Sequence, residues 1–296
     1  MSHSETIEAA LLGLAVGDAL GVPVEFKSRD SLRHRPVTGL TGYGTHNQPP
    51  GTWSDDSSLA FCLADSLCRK YDLDDAAKHF IKWYQYGHWT PHGKVFDIGN
   101  TTRAAIERLM QGKSPILAGG FGEADNGNGS LMRILPLLFH VHHLPVEERF
   151  RLTSEISSLT HGHLRSVLAC FIYLEFAQQL LAGNDMQHAY ENMIKEVNAF
   201  LEAKPFNPNE IQKFIRILNG SLAEKTEAEI RSGGYVLHTL EASLWCLLTE
   251  DTYAAAVLKA VNLGEDTDTT GAVTGGLAGL RYGTAVIPGE WLEGLV

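Results

Sequence analysis

Apolar residues return at three- and four-residue spacing in six stretches of the chain: Ile7 to Leu20, Leu59 to Leu67, Leu131 to Leu138, Val167 to Leu181, Tyr235 to Leu248 and Ala254 to Val261. That spacing gathers side chains on one face of a 3.6-residue helix, so each stretch is predicted helical. Period-two alternation with β-branched residues, the mark of a half-buried strand, is nearly absent. Pro and Gly punctuate long periodic segments instead of short ones. The pattern predicts an all-α, compact multi-helix bundle. No Ser/Pro/Gly-rich linker, composition break or fixed-period repeat divides the chain, and a single domain over residues 1–296 is expected.

Three stretches depart from the helical pattern: Lys27 to Trp53, Gln111 to Gly129, and the join from Gly264 to Asp268. Long loops inside a compact domain are usually functional or mobile. The second carries Gly119, Gly120, Gly122, Gly127 and Gly129, a density that lets backbone approach a ligand closely. Ala203 to Glu210 reads as an ordinary interhelical loop.

Charge narrows the partners. The 296 residues hold 35 Asp and Glu against 24 Lys and Arg, a formal charge of −11, with 44% hydrophobic residues to build a core. Such a chain lacks the broad positive field that phosphate-backbone binding demands, so nucleic acid and anionic membrane are not expected partners; cations or basic groups suit it better. The amino terminus has no basic run, and the apolar stretch Ala9 to Gly17 stops at Asp18, which supports neither a signal peptide nor a spanning helix. Cys62, Cys68, Cys170 and Cys246 form no CxxC pair and lie in apolar patterns. They read as buried free thiols of a cytoplasmic protein.

The chemistry concentrates at two predicted helix starts. Trp53-Ser54-Asp55-Asp56-Ser57-Ser58 runs straight into the apolar pattern at Leu59. Ser and Asp are preferred caps, and carboxylates gain about 0.3–1 kcal/mol from the helix dipole, so capping alone accounts for this motif. Glu265-Asp266-Thr267-Asp268-Thr269-Thr270 repeats the design ahead of Gly271, Gly275, Gly276 and Gly279. Interior glycine costs about 1 kcal/mol relative to alanine, and a spacing of four lines up Gly271, Gly275 and Gly279 on a face that another helix or a ligand can approach closely. Close packing explains the glycines but not the acids.

Compensation separates these acids from ordinary caps. No Lys or Arg occurs between Arg35 and Arg69, nor between Lys259 and Arg281. Carboxylates converging without local cations are costly to bury unless they titrate or bind metal. Asp55, Asp56, Asp266 and Asp268, with hydroxyls from Ser54 and Thr269, offer only oxygen, the donor set of Mg²⁺ or Mn²⁺ and not of zinc. Four carboxylates suffice for two metals that share a bridging ligand. The 13 histidines say less; His140, His142 and His143 read as solvated groups near a helix end, and His161 and His163 flank a helix start. No HExxH, GxSxG, P-loop or Rossmann spacing is present.

Seven collinear motifs nevertheless resemble one family, the ADP-ribosylglycohydrolases. They are Gly13 to Gly21 with Pro23 and Glu25; Gly51-Thr52-Trp53-Ser54-Asp55-Asp56-Ser57; Asp97-Ile98-Gly99-Asn100-Thr101-Thr102; and Asn128-Gly129-Ser130-Leu131-Met132-Arg133. Thr160-His161-Gly162, Gly234-Tyr235-Val236 and Gly264 to Thr269 complete the series. The resemblance spans nearly the whole chain. It implies an orthogonal all-α bundle with a binuclear Mg²⁺ or Mn²⁺ site in a cleft, and it places Ser54, Asp55, Asp56, Asp266, Asp268 and Thr269 as metal ligands. The family usually writes the first metal motif Thr-Asp-Asp-Thr, where this chain keeps the hydroxyls as Ser54 and Ser57.

By the same resemblance, Asp97, Gly99, Asn100 and Thr101 form a ribose-facing loop. Asn128, Gly129, Ser130, Met132 and Arg133 form a diphosphate-facing one, where backbone donors suit phosphate oxygens. His161 contacts ligand, and Tyr235 offers a face to adenine or else packs in the core. Glu25 or Asp97 would shuttle a proton or orient a guanidinium. The implied activity is hydrolysis of ADP-ribose from a modified protein side chain, arginine first, through a transition state with oxocarbenium character. Serine-linked or O-acetyl-ADP-ribose, and a non-catalytic ADP-ribose-binding role, stay open as alternatives.

Overall fold

A computed structural model describes residues 2–296, and its regular structure is helical, with only two isolated β-bridges among the described residues, Gly120 with His161 and Gly127 with Tyr235. In chain order the helices are α1 (His3–Gly21), α2 (Arg29–His34), α3 (Asp55–Leu67), α4 (Leu73–Tyr86), α5 (Asn100–Met110) and α6 (Leu138–Val141). They continue with α7 (Val146–Ser158), α8 (Leu164–Leu181), α9 (Met186–Glu202), α10 (Pro208–Gln212) and α11 (Ile215–Leu218). The last four are α12 (Val236–Thr249), α13 (Tyr253–Asn262), α14 (Thr267–Tyr282) and α15 (Gly289–Glu293).

Caps mark the starts in the sequence. Ser2 and Glu5 close a capping box on α1; Asp72, Asp185 and Thr252 accept the free N–H groups at the starts of α4, α9 and α13. Such caps satisfy donors that have no partner inside the helix.

The centre of the molecule is the pair α1 and α14, and it is built on glycine. Gly13 and Gly17 on α1 lie against Gly271, Gly275 and Gly279 on α14, and Gly21 lies against the backbone of Thr267 and Asp268. A β-carbon on Gly13 would sit 3.0 Å from the Gly279 Cα, one on Gly17 2.5 Å from the Gly271 carbonyl carbon, and one on Gly275 3.1 Å from the Gly13 carbonyl carbon. The glycine face of α14 therefore receives a helix, and the matching spacing of four on α1 is its counterpart. Hydroxyls tie the pair to its neighbours, Tyr253 Oη donating to Gly13 O at 2.7 Å and Tyr173 Oη to Val273 O at 3.2 Å. This backbone-to-backbone approach brings the carboxyl end of α1 beside the amino end of α14.

Five of the six periodic stretches are helices. The sixth, Leu131 to Leu138, is a turn, a single 3₁₀ turn at Leu135–Leu137 and the short α6. Pro136 lacks an N–H and its ring would clash with the preceding turn, so a continuous helix cannot pass through it. The stretch Lys27 to Trp53 contains α2, and Ala203 to Glu210 contains the start of α10. Among the cysteines Cys62, Cys170 and Cys246 are buried, whereas Cys68, at the C-cap of α3, is exposed. Residues His3–Val24 and α8 have the length and apolar composition of membrane spans, yet 78% of the apolar window of each is buried inside the fold.

Candidate active site

The two acidic helix starts meet. Thr269 Oγ1, in the first turn of α14, donates to Asp56 Oδ2, in the first turn of α3, at 3.2 Å. Asp18, the only acid on the inner turns of α1, organises the α3 side. Its carboxylate accepts from Ser54 N at 2.9 and 3.1 Å, from Ser57 N at 3.0 Å and from Ser57 Oγ at 2.6 Å, so it caps α3 from another helix. Ser54 Oγ in turn accepts from Asp56 N and donates to Asp56 Oδ2 at 3.1 Å. On the α14 side, Asn128 Nδ2 donates to Asp266 Oδ2 at 2.9 Å and to Thr239 Oγ1 at 2.9 Å.

After these bonds, three buried carboxylate oxygens have no partner among the described residues: Asp56 Oδ1, Asp266 Oδ1 and Asp268 Oδ2. Oxygens of Asp18, Asp56 and Asp268 lie within 4.8 Å of one another, as do those of Glu25, Asp266 and Asp268. A hard divalent cation fits this set of bare oxygens, and no lysine or arginine lines the cleft to offset them. Asp18 is the exception within the group. Its carboxylate already accepts from three donors, Ser54 N, Ser57 N and Ser57 Oγ, so it braces the start of α3, while Asp56, Asp266 and Asp268 keep the oxygens without partners.

Burial dominates the electrostatics. Desolvation, reinforced by the neighbouring carboxylates, pushes Asp55, Asp56 and Asp268 well above the ordinary carboxylate range, and desolvation alone raises Asp266 against the hydrogen bonds that lower it. Asp18 moves up to about 6, Asp97 to about 7 and Glu25 to about 8, each chiefly through burial. Glu25 does not sit on an exposed loop: it ends the 3₁₀ turn Val22–Val24, is buried, and pairs with His46, whose Nε2 is also 3.7 Å from Asp97 Oδ1. The loop is held by a reciprocal clasp in which Phe26 N donates to Glu265 O at 2.6 Å and Glu265 N to Lys27 O at 2.8 Å. Phe26 and Glu265 both take φ of 62°, and Asp97 takes 57°. Non-glycine residues with such left-handed backbone cluster at functional sites.

These groups floor and wall a cleft of about 390 Å³. Glu25, Asp55, Asp97, Asp266 and Thr269 lie at its acidic end, and Gly99, Asn100, Thr101, Asn128, Gly129, Met132 and His161 line the remainder. Asn100 and Thr101 form the first turn of α5, with Gly99 as its cap, and not a loop. His161 is buried and held far below its ordinary pKa, at about 3, by burial and by Arg133. Thr160 Oγ1 accepts from Arg133 Nη2 at 2.7 Å and lies 2.8 Å from His161 Nδ1. With the hydroxyl hydrogen directed to Nδ1, the neutral imidazole keeps an Nε2–H beside Gly127 and Gly129.

Three residues expected at the ligand lie elsewhere. Ser130 is fully buried, its hydroxyl engaged by Ser157 Oγ at 3.0 Å and Cys170 Sγ at 3.4 Å. Arg133 is buried behind the wall, stacked 4.6 Å over Phe80 and bonded to Thr160, so its charge supports His161 from the rear. Tyr235 caps α12 outside the cleft lining, with Arg165 5.8 Å over its ring and His238 at its edge. Asp18 and His46, by contrast, are site residues that sequence reasoning left out. The signal for Asp18 was an acid within the apolar run of α1, next to Gly17 and three residues before Gly21; His46, in an irregular loop, carried none.

The chain resembles known proteins over its full length. A family model described as ADP-ribosylglycohydrolase matches residues 2–296. The ADP-ribosylarginine hydrolase Tri1 of Serratia proteamaculans is 34% identical, covering 99% of this chain and 77% of that protein. The ADP-ribosyl-dinitrogen reductase glycohydrolase of Rhodospirillum rubrum is 31% identical, covering 97% of this chain and 88% of that protein. A solved structure titled ADP-ribosylglycohydrolase-related protein complex superposes with a TM-score of 0.80 at 34% identity, covering 99% of this chain and 93% of its own. With the cleft, the buried acids and this end-to-end match together, the chain belongs to the ADP-ribosylglycohydrolase family, enzymes that hydrolyse the glycosyl bonds of ADP-ribose.

Proposed function

We propose that this chain removes ADP-ribose from arginine side chains of modified proteins, with two divalent cations, Mg²⁺ or Mn²⁺, held at the meeting of α3 and α14. The observation that carries the reading is the convergence of two acidic helix starts on three buried carboxylate oxygens without partners. Relatives named for arginine hydrolysis, 34% identical over nearly the whole chain, support the linkage. Asp55, Asp56, Asp266 and Asp268 would hold the cations, with the Ser54 and Thr269 hydroxyls beside them. When bound, such ions polarise oxygen and lower the pKa of water.

The rest is the work of the chain. The cleft would seat ADP-ribose with its distal ribose at the acidic end, beside Glu25, Asp55, Asp97 and Asp266. There the bond from ribose C1 to the guanidine nitrogen breaks, its electron pair leaving with the nitrogen, while water adds to C1. The nitrogen needs a proton and the water must lose one. Glu25, beside Asp266 and Asp268 and raised to about 8, would donate the first, and Asp97, raised to about 7, would accept the second. The diphosphate would meet the free N–H groups at the start of α5, the Gly127–Gly129 backbone and the His161 Nε2–H, uncharged donors that suit a dianion in a site without Lys or Arg. The Phe26 ring at the mouth presents a face to the departing guanidinium.

The test is release of ADP-ribose from an arginine-modified protein, with serine-linked substrate run alongside. Turnover should require Mg²⁺ or Mn²⁺ and vanish in chelator. Equal turnover in chelator would overturn the metal assignment, and a preference for the serine linkage would overturn the substrate.

A further inference from the structure

A second cluster of ligating side chains lies outside the cleft, where α3, α4 and the loop after α4 meet. Asp65 is on the last full turn of α3, His79 on α4 and His88 in the loop that follows. Both imidazole Nε2 atoms aim at the same oxygen, His79 to Asp65 Oδ2 at 3.3 Å and His88 to Asp65 Oδ2 at 3.3 Å, and all three ligand atoms fall within 4.8 Å of one another. A charge-assisted N–H to carboxylate bond settles at about 2.7–2.9 Å. Zinc bonds of about 2.0–2.1 Å to nitrogen and oxygen, arranged tetrahedrally, set ligand atoms about 3.3 Å apart. Both nitrogen–oxygen separations equal the edge of such a tetrahedron, and the His88 contact is long for a charge-assisted hydrogen bond.

The surroundings prepare the ligands. His79 Nδ1 lies 2.9 Å from Asp75 O and 3.4 Å from the Asp75 carboxylate, which is itself bonded by Ser66 Oγ at 2.7 Å. With its hydrogen on Nδ1, a neutral His79 turns the bare Nε2 lone pair toward Asp65, an arrangement that repels the carboxylate unless a cation sits between. Carboxylate and carbonyl partners on the outer nitrogen are the usual support of a metal-bound histidine. Trp89 Nε1 donates to the same Asp65 oxygen at 3.2 Å, supplying an outer hydrogen bond to that ligand. His79 is largely buried whereas His88 and Asp65 are partly exposed, leaving solvent access for a fourth ligand.

We propose that Asp65, His79 and His88 form a tetrahedral site for zinc or a similar nitrogen-preferring divalent ion, separate from the oxygen-only cluster of the cleft. Its occupant would staple α3 to α4 and to the loop that runs on to Asp97. That loop is already tied to the entry of α3, His92 Nε2 lying 3.0 Å from Thr52 Oγ1 and Trp53 Nε1 donating to Trp89 O at 3.2 Å.

Cobalt reads the geometry directly, because tetrahedral Co²⁺ absorbs strongly in the visible and six-coordinate oxygen-bound Co²⁺ only weakly. The full-length chain, stripped of metal and then held in saturating Mg²⁺, should bind one equivalent of Co²⁺ with the tetrahedral spectrum, displaced by Zn²⁺. His79→Gln and His88→Gln should each weaken that binding at least tenfold while keeping the far-UV circular dichroism of the parent; should His79→Gln fail to fold, His88→Gln, in the loop, decides. Asp56→Asn should leave the spectrum unchanged. Absence of a tetrahedral spectrum in the parent chain, its persistence in both histidine variants, or its loss only in Asp56→Asn would overturn the site.

Discussion

The hydroxyl of Thr269 reaches the carboxylate of Asp56 across 3.2 Å of space and 213 residues of sequence. This bond joins two helix amino termini whose dipoles both favour negative charge, and it leaves Asp56 Oδ1 free. Asp268, on the same turn as Thr269, then belongs to both carboxylate groups of the site. Replacing it with Asn keeps the shape and removes one anionic oxygen. Changes to residues that merely support a ligand cost about 10–100-fold in metal affinity or activity, so Asp268→Asn should lose more than about 100-fold in both. Calorimetry with Mg²⁺ and the hydrolase assay would be run on the same preparation. Parent-like Mg²⁺ affinity in the variant would remove Asp268 from the ligand set.

Asp18 offers a contrast, because it acts through α3 and not on a ligand. Its carboxylate holds the N–H groups of Ser54 and Ser57 and the Ser57 hydroxyl. Asp18→Asn would replace an acceptor oxygen with an NH₂ group pointed at donors. The expected result is a rise in the Mg²⁺ concentration needed for half activity, by about 10–100-fold, with near-parental kcat once Mg²⁺ saturates. A fall in kcat that Mg²⁺ does not restore would assign Asp18 a direct part in the chemistry.

Proton linkage gives the acid cluster a pH signature. Asp18, Asp97 and Glu25 titrate at about 6, 7 and 8 in the fold, above their ordinary values of 3.8, 3.8 and 4.5. Between about pH 4 and pH 8 the native state therefore binds more protons than the unfolded chain, and stability falls as pH rises. Metal-free protein should show a melting temperature that drops from pH 5 to pH 8, by roughly 2–4 °C for each kcal/mol lost. Mg²⁺ should restore most of the loss at pH 8 and little at pH 5, where protons compete for the same oxygens. A melting temperature that rises over this range without metal would contradict the burial of these acids.

How much of this was legible beforehand follows from which physics each feature obeys. Local rules found the most apolar helices, and the absence of Lys and Arg around Asp55 and Asp266 pointed to metal before their meeting could be seen. They passed over α4, α5, α7 and α9, whose charged faces dilute the apolar pattern. Packing of distant segments was invisible. Nothing local says that Gly13 and Gly17 face Gly271, Gly275 and Gly279, or that this contact delivers Asp18 to Ser54. Motif resemblance had a different blind spot: Ser130 and Arg133 stand in a cleft-forming motif, yet their side chains turn inward to Ser157 and Thr160.

The glycine contact can be probed alone. Gly17→Ala places a methyl group 2.5 Å from the Gly271 carbonyl carbon, where only backbone could yield. Overpacking costs typically about 1–3 kcal/mol, and here it also separates α1 from α14 and so Asp18 from α3. Gly17→Ala should lower both the denaturation midpoint and Mg²⁺ affinity. Gly183→Ala, at a surface turn with open space around it but φ of 91°, should lower the midpoint through backbone strain and leave Mg²⁺ affinity intact. Loss of Mg²⁺ affinity in both variants would mean that general destabilisation, and not the α1–α14 spacing, governs the site.

Phe26 tests the linkage. Its side chain is 68% exposed although its backbone is fixed in the left-handed region by the bond to Glu265, an arrangement that core packing does not explain. The ring lines the mouth of the cleft next to Glu25 and 6.1 Å from His46. A guanidinium over an aromatic face gains about 0.5–2 kcal/mol, equivalent to roughly 2–30-fold. Phe26→Leu retains bulk and apolar character but discards the π face. It should therefore reduce kcat/KM for arginine-linked ADP-ribose by that factor, while Phe26→Trp maintains or improves it. A serine-linked substrate carries no cation, so its slow turnover should change little in either variant. Because the leucine ring replacement affects both substrates equally if Phe26 only shapes the entrance, parallel losses on the two linkages would show that the ring recognises no charge.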